Sequence, residues 1–344
     1  MKKIYLIRAN KKLSGGAEMY LAQLSSRLRE LNIDHSVIHS SLPKFLPAWL
    51  RVWLFDLATC RDKENKFYFS LDRISCPDIY RTDDGVHKVF LSIEKKSKTN
   101  PLHRIYLSLE KKAFQRAKKI IAISTMVKNN IIDAYGIDPL KIVVIHNGIA
   151  LQEYDSSNAF SKLSEEFGIE KKQKVIVFVG SGFKRKGVEE FLHIVARLKY
   201  DNFKAFIIGK EKNLSYYVDL AKKLEIENNV VFTGTRDDVK DFYTVSDLFL
   251  FPTRYDPFGN VILEAMHFGN VVFTTKTCGA SDILADEFIM ESSNNLAISE
   301  KIDAVLSDEK RMEKIKAENV KLVQNYTIEK NVEETLRVIH EVID

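Results

Sequence analysis

Between residues 174 and 275 short β-branched runs alternate with amphipathic stretches: "KVIVFVG", "VEEFLHIVARLK", "KAFIIGK", "YYVDLAKKLE", "VVFTG", "VKDFYTVS", "LFLFP", "FGNVILEAMHFG" and "VVFTT". Unbroken apolar runs belong to strands buried on both faces, and their alternation with helices calls for a parallel sheet wrapped by helices. The same grammar comes earlier in "KIYLIRA", a helix carrying Leu21, Leu24, Leu28 and Leu31 on one face, a strand near "HSVIHS", then "KKIIAIS", a helix through "STMVKNNIIDAYG" and "KIVVIHNG". A chain of 344 residues exceeds one ordinary core. The expected fold is therefore α/β with two Rossmann-like, doubly wound domains, 1–160 and 161–325, facing each other across a cleft. The polar segment after Asn147 joins them, and helical periodicity runs on from Ser299. Ligands of such sheets bind where strands end at their carboxyl edge, so the chemistry is sought in the loops that follow strands.

After "KVIVFVG" comes "SGFKRKG", in which Lys184, Arg185 and Lys186 lie between glycines and directly before a helix. Cations and a helix N-terminus on one spot suit a diphosphate, against the plain alternative of an exposed lysine loop. Lys210, closing "AFIIGK", and Arg236, in "TGTRDDV", are further cations after strands, while Asp237 or Asp238 reads as a helix N-cap. In "YDPFGNVILEAMHFG" the helix is expected to start near Phe258, with Asn260 one turn before Glu264. Glu264 is the single charge in an apolar run, and its two oxygens suit the vicinal hydroxyls of a ribose. Asp256, followed by Pro257, is equally explained as an N-cap with proline at the first helical position.

In the first half, Gly15 and Gly16 of "SGGAE" form a turn that can approach an anion, although a glycine turn is common after any strand. Asp83, Asp84 and His87 cluster around Gly85, as sugar or acceptor-hydroxyl contacts or as a self-bonded turn. From Lys88 to Lys128 there are eleven Lys or Arg against Glu94 and Glu110. That excess implies an anionic partner, whether glycolipid, membrane surface or nucleic acid, or else a solvated helix face. Residues 42–60 gather Phe45, Trp49 and Trp53 beside Lys44 and Arg51, a pattern of core or of a membrane interface. The three cysteines lack metal or framework spacing, so reduced, buried thiols are expected. "MKKIYLIRANKK" reads as the first strand of a cytoplasmic protein and not as a signal peptide.

Taken together, "VGSGFKRKGVEEFL", "TGTRDDV" and "YDPFGNVILEAMHFGNVVFTTKTCGASDI" resemble the retaining family 4 glycosyltransferases of the GT-B fold, most of all the bacterial lipopolysaccharide core glucosyltransferases. The resemblance implies a nucleotide diphosphate sugar, UDP-glucose above others, as donor. It implies a core oligosaccharide or other lipid-linked glycan as acceptor, no metal or other cofactor, no nucleic-acid partner, and a peripheral place on the inner face of the cytoplasmic membrane. In that family's pattern Arg185 and Lys186 neutralise the leaving diphosphate and Glu264 binds the ribose. Asp256 lies near the donor sugar, and the backbone at Phe258, Gly259 and Asn260 cradles its hydroxyls. Gly15 and Gly16 approach the donor from the first domain, where His87 contacts the sugar, and the helix from about Tyr326 returns to that domain. The competing readings are another family 4 hexosyl or N-acetylhexosaminyl transfer, for example in capsule assembly, an epimerase of the same fold, and a catalytically silent subunit.

Overall fold

A computed structural model describes residues 3–11, 16–151 and 153–343. The chain divides into two compact units, one of residues 1–148 with 328–344 and one of residues 149–327. The division falls at 148/149 and not at the 160/161 read from polarity, because the backbone at Ile149 is already paired with Thr327. The helix Ala159–Phe167 belongs wholly to the second unit.

The first unit holds six parallel strands: β1 (Ile4–Ile7), β2 (His35–Ile38), β3 (Phe67–Ser70), β4 (Ile79–Arg81), β5 (Lys119–Ala122) and β6 (Ile142–Val144), in the order β2-β1-β3-β4-β5-β6. Strands β3 and β4 fall in the stretch without periodicity. Every residue of both is buried, so no polar alternation marks them. The helix Ile328–Ile343 completes this unit's core, placing Val332, Leu336 and Ile339 among Leu21, Leu24 and Leu28. Its Thr335 and Asn331 reach Tyr20 and the His146 carbonyl.

The second unit holds β7 (Lys174–Val179), β8 (Phe203–Ile208), β9 (Val230–Gly234), β10 (Leu248–Phe251), β11 (Val271–Thr275) and β12 (Ile289–Met290), all parallel, in the order β12-β11-β10-β7-β8-β9. Each sheet reverses its winding at one point, between β1 and β3 in the first unit and between β7 and β10 in the second. A crevice opens outside the strand ends at such a point.

One expectation is corrected. Cys60, in the helix Ala48–Arg61, and Cys76, in the loop between β3 and β4, form a disulfide. The fold brings together two cysteines whose spacing of 16 residues matches no motif. Cys278 is a free, buried thiol.

Candidate functional site

In the second unit the two loops beside the switch point interlock. The β7 loop runs through Gly182 into one helical turn, Phe183–Lys186, and Gly187. Gly187 has φ +82°, and any side chain there would overlap the Pro252 carbonyl of the β10 loop. Only glycine lets the two backbones approach this closely. The Arg185 carbonyl accepts hydrogen bonds from the Arg254 N–H (2.9 Å) and the Thr253 hydroxyl (3.2 Å), and its guanidinium donates to the Tyr255 carbonyl (3.0 Å). Lys186 pairs with Asp256 and lies 5.1 Å from the Phe251 ring centre. Lys210 is exposed at the end of β8, its N–H bonded to Ser181 and its carbonyl to the Gly182 N–H. The sequence therefore selected residues that the fold gathers: Arg185, Lys186 and Asp256 lie in the β7 and β10 loops, and the backbone of Lys210, in the loop after β8, is bonded to the β7 loop. No carboxylate pairs with Lys184, Arg185 or Lys210 among the described residues.

Asp256 is not a helix cap. The helix begins at Asn260 after Gly259, whose φ of +88° puts the chain in a conformation closed to most residues. The buried Asp256 carboxylate gives one oxygen to Lys186 and the other to the Phe258 N–H (3.2 Å), and its backbone is pinned to Thr277 and Gly279. The buried Phe258 passes its carbonyl to the Ala280 N–H at 2.7 Å. This neighbourhood and burial push the Cys278 thiol up to about 12, burial being the larger cause.

Glu264 is half-buried and accepts the Tyr243 hydroxyl at 3.1 Å. Burial pushes its carboxyl above the ordinary range, opposed by that hydrogen bond and by Lys240. One oxygen thus has a protein partner, which Tyr243, not singled out by pattern, supplies. Arg236, the cation after β9, is paired. Its guanidinium is forked onto Glu166 (2.6 and 2.8 Å) and onto Asp238 (2.8 and 2.9 Å). Asp238 stands at the N-cap position, yet its carboxylate serves Arg236 and Lys162 and caps nothing. The depression there, about 540 Å³ with Tyr154, Lys162, Arg236 and Asp241 in its wall, shares no residue with the interlocked loops.

In the first unit the strand ends form a different constellation. Arg8, after β1, bonds Glu18 (2.9 Å) and Asp72 (3.1 Å), and Arg73, after β3, bonds the fully buried Glu110 (3.0 Å) and lies 3.3 Å from Asp84. Asp84 and Arg73 line a cavity of about 660 Å³ with Asp72, Asn10, Arg51 and Tyr106. His87 does not line it. Its ring packs on Phe90 and Tyr106 and meets His103 at 3.1 Å, and its N–H bonds Glu110 (2.7 Å). Burial first, then the charge of Arg73, pull His87 down to about 4. The Asp83 side chain is covered against Arg81, and burial lifts its carboxyl to about 6. Gly16 is exposed and opens the helix Gly16–Glu30, whereas Gly15 lies outside the described residues. Arg8 and Arg73 went unnoticed in the sequence, although Arg8 directly follows a strand, the rule that had found Lys210.

Residues 159–322 match the family model of glycosyl transferases group 1, and residues 85–153 that of glycosyltransferase family 4. The chain is 36% identical over 122 residues to the lipopolysaccharide glucosyltransferase WaaG of Escherichia coli, covering 35% of this chain and 32% of that one. It is 32% identical over 221 residues to the capsular polysaccharide biosynthesis glycosyltransferase CapM of Staphylococcus aureus, covering 61% and 57%. The chain thus spans a third to just over half of the length of these curated relatives. In fold it is similar to a crystal structure of WaaG, a glycosyltransferase involved in lipopolysaccharide biosynthesis, with TM-score 0.79, 20% identity and 98% and 99% of the two chains covered. It is also similar to Anabaena Alr3699/HepE in complex with UDP-glucose, with TM-score 0.74, 19% identity and the same coverage. Two six-stranded parallel sheets and these likenesses give the chain the GT-B fold, with a glycosyltransferase family 4 domain at residues 85–153 and a glycosyl transferases group 1 domain at residues 159–322.

Proposed function

We propose that the protein moves a hexose from a nucleotide diphosphate sugar to a hydroxyl of a lipid-linked or core oligosaccharide, with retention at the anomeric carbon and without a metal ion. The observation that carries this reading is the β7 turn, where Lys184 and Arg185, like Lys210 in the neighbouring β8 loop, have no carboxylate partner among the described residues and the Arg185 backbone is fixed by the β10 loop. As the glycosidic bond breaks, negative charge grows on the leaving diphosphate. A cation already held in place stabilises that charge without reorganisation. Lys186, paired with Asp256, holds the acid beside the backbone at Phe258 and Gly259, where the sugar hydroxyls are placed in this reading. Glu264 keeps an oxygen for the ribose. The acceptor is anionic and membrane-borne in this reading, which the basic stretch from Lys88 to Lys128 supports, and the enzyme works at the inner face of the membrane.

The test is labelled UDP-glucose incubated with the protein, with and without membrane extract, in the presence of a chelator. Label entering lipid, insensitive to the chelator, is expected. Label in a new nucleotide sugar without extract would assign an epimerase, and label in neither, with no thermal stabilisation by any UDP- or GDP-sugar, would leave a silent subunit.

A further inference from the structure

We propose that the helix Ala48–Arg61 is the surface on which the protein lies on an anionic phospholipid bilayer. This goes beyond the donor chemistry and rests on the reading above only for its purpose, delivery of a membrane-borne acceptor. The sequence left open whether this segment is core or interface. In the structure Trp49, Trp53 and Leu57 are 39%, 46% and 52% exposed, and Phe45, one turn before the helix, is 85% exposed. Their spacing of four residues aligns them along one stripe. The core side of the helix is instead Phe55, Asp56 and Thr59.

Charge selects the occupant. Asp56 is the helix's one carboxylate, and it is buried and bonded to the Ser75 N–H. The exposed face thus bears no negative charge until Asp62 and Glu64 beyond its end. Lys44, Arg51 and Arg61 have no ion-pair partner among the described residues, and the Arg51 Nε is a buried donor without an acceptor. The neighbouring helix Pro101–Arg116, packed against this one, adds the exposed Arg104, Lys111 and Lys112, also unpaired among the described residues. A second copy seated on the stripe would set these cations against their own counterparts. Tryptophan favours the boundary between headgroups and acyl chains, and cations beside it meet the phosphate layer. An adjoining stripe of the same helix, Ala48, Arg51, Val52 and Phe55, lines the 660 Å³ cavity. A headgroup at the level of the bilayer surface therefore lies next to that cavity.

The two tryptophans of the chain are Trp49 and Trp53, so tryptophan fluorescence, excited selectively over tyrosine, reports on this face alone. The full chain is titrated with vesicles of phosphatidylglycerol and phosphatidylcholine, and with phosphatidylcholine alone. A blue shift on the anionic vesicles, quenched by shallowly brominated lipid and weakened by salt, is the expected result. The variant Phe45→Ser/Leu57→Ser, which keeps both reporters, should partition at least about tenfold more weakly while its turnover on a soluble acceptor stays unchanged. Vesicle binding with unshifted emission, an unaffected variant, no binding, or a shift that follows protein concentration instead of lipid would each overturn the proposal. If the variant fails to fold, the quenching depth in the unaltered protein decides alone. Absence of transfer to a soluble acceptor with the blue shift intact would count against the proposed function and not against this surface.

Discussion

The strand ends of the first unit and the β7 turn of the second treat positive charge in opposite ways. In the first, Arg8, Arg73 and Arg81 each meet at least one carboxylate, and Glu110 at the centre of the network is wholly buried. In the second, only Lys186 of the turn's cations has an acid, while Lys184 and Arg185, and Lys210 in the neighbouring β8 loop, have none among the described residues. A buried network that balances its own charge holds a fold in one arrangement, and cutting one member leaves the others uncompensated. A cluster whose surplus is unbalanced is a place for an anion. Pairing, more than the number of cations, separates scaffold from site.

Breaking the balanced side should have the largest effect. Glu110 accepts from Arg73, the His87 and Lys88 N–H groups and the Tyr135 hydroxyl, so Glu110→Ala should cost about 3 to 5 kcal/mol in urea unfolding. A loss under 1 kcal/mol would mean the network is ornamental. On the unbalanced side, Arg185→Ala should leave stability near its original value and lower turnover at least about a hundredfold, read from nucleotide release with acceptor. Unchanged turnover would remove the turn from the chemistry. Glu264→Gln preserves an acceptor for Tyr243 and removes the charge, and calorimetry should show nucleotide binding weakened about tenfold.

The smallest effect tests the buried side by pH. His87 binds its proton at about 4 in the folded protein and near 6.5 when unfolded. The unfolded state therefore takes up more protons between these values, and the stability contributed by neutral His87 is present above about 6.5 and lost as pH falls towards 4. Asp83, lifted to about 6, acts in the opposite direction over part of that range. The His87 ring resonances should stay those of neutral imidazole down to pH 5, and His87→Gln should lower the melting temperature less steeply between pH 7 and 5 than the unaltered chain. Titration of His87 near 6.5 would show that burial does not govern it.

The second sheet and its loops were legible because two local rules sufficed: apolar runs mark buried strands, and cations or lone acids after strand ends mark a crevice. Those rules found Lys186 and Asp256, though not that they would meet across seventy residues. They did not show that Arg236 is paired, because Glu166, which meets it, lies seventy residues away in the sequence on another helix. They missed β3 and β4, four and three residues buried on every side, and the pairing of Cys60 with Cys76. The Asp256 cap looked sound locally and failed because the helix starts later, at a glycine whose positive φ no propensity reveals. What escaped was tertiary in each case.

The return of the helix Ile328–Ile343 to the first unit has a consequence for synthesis. Residues 149–327 form an uninterrupted span that can fold as soon as it has left the ribosome, whereas the first unit lacks one side of its core until Val332, Leu336 and Ile339 have been made. The half translated first is thus the half finished last, and its exposed Leu21, Leu24 and Leu28 are the surface a chaperone would meet meanwhile.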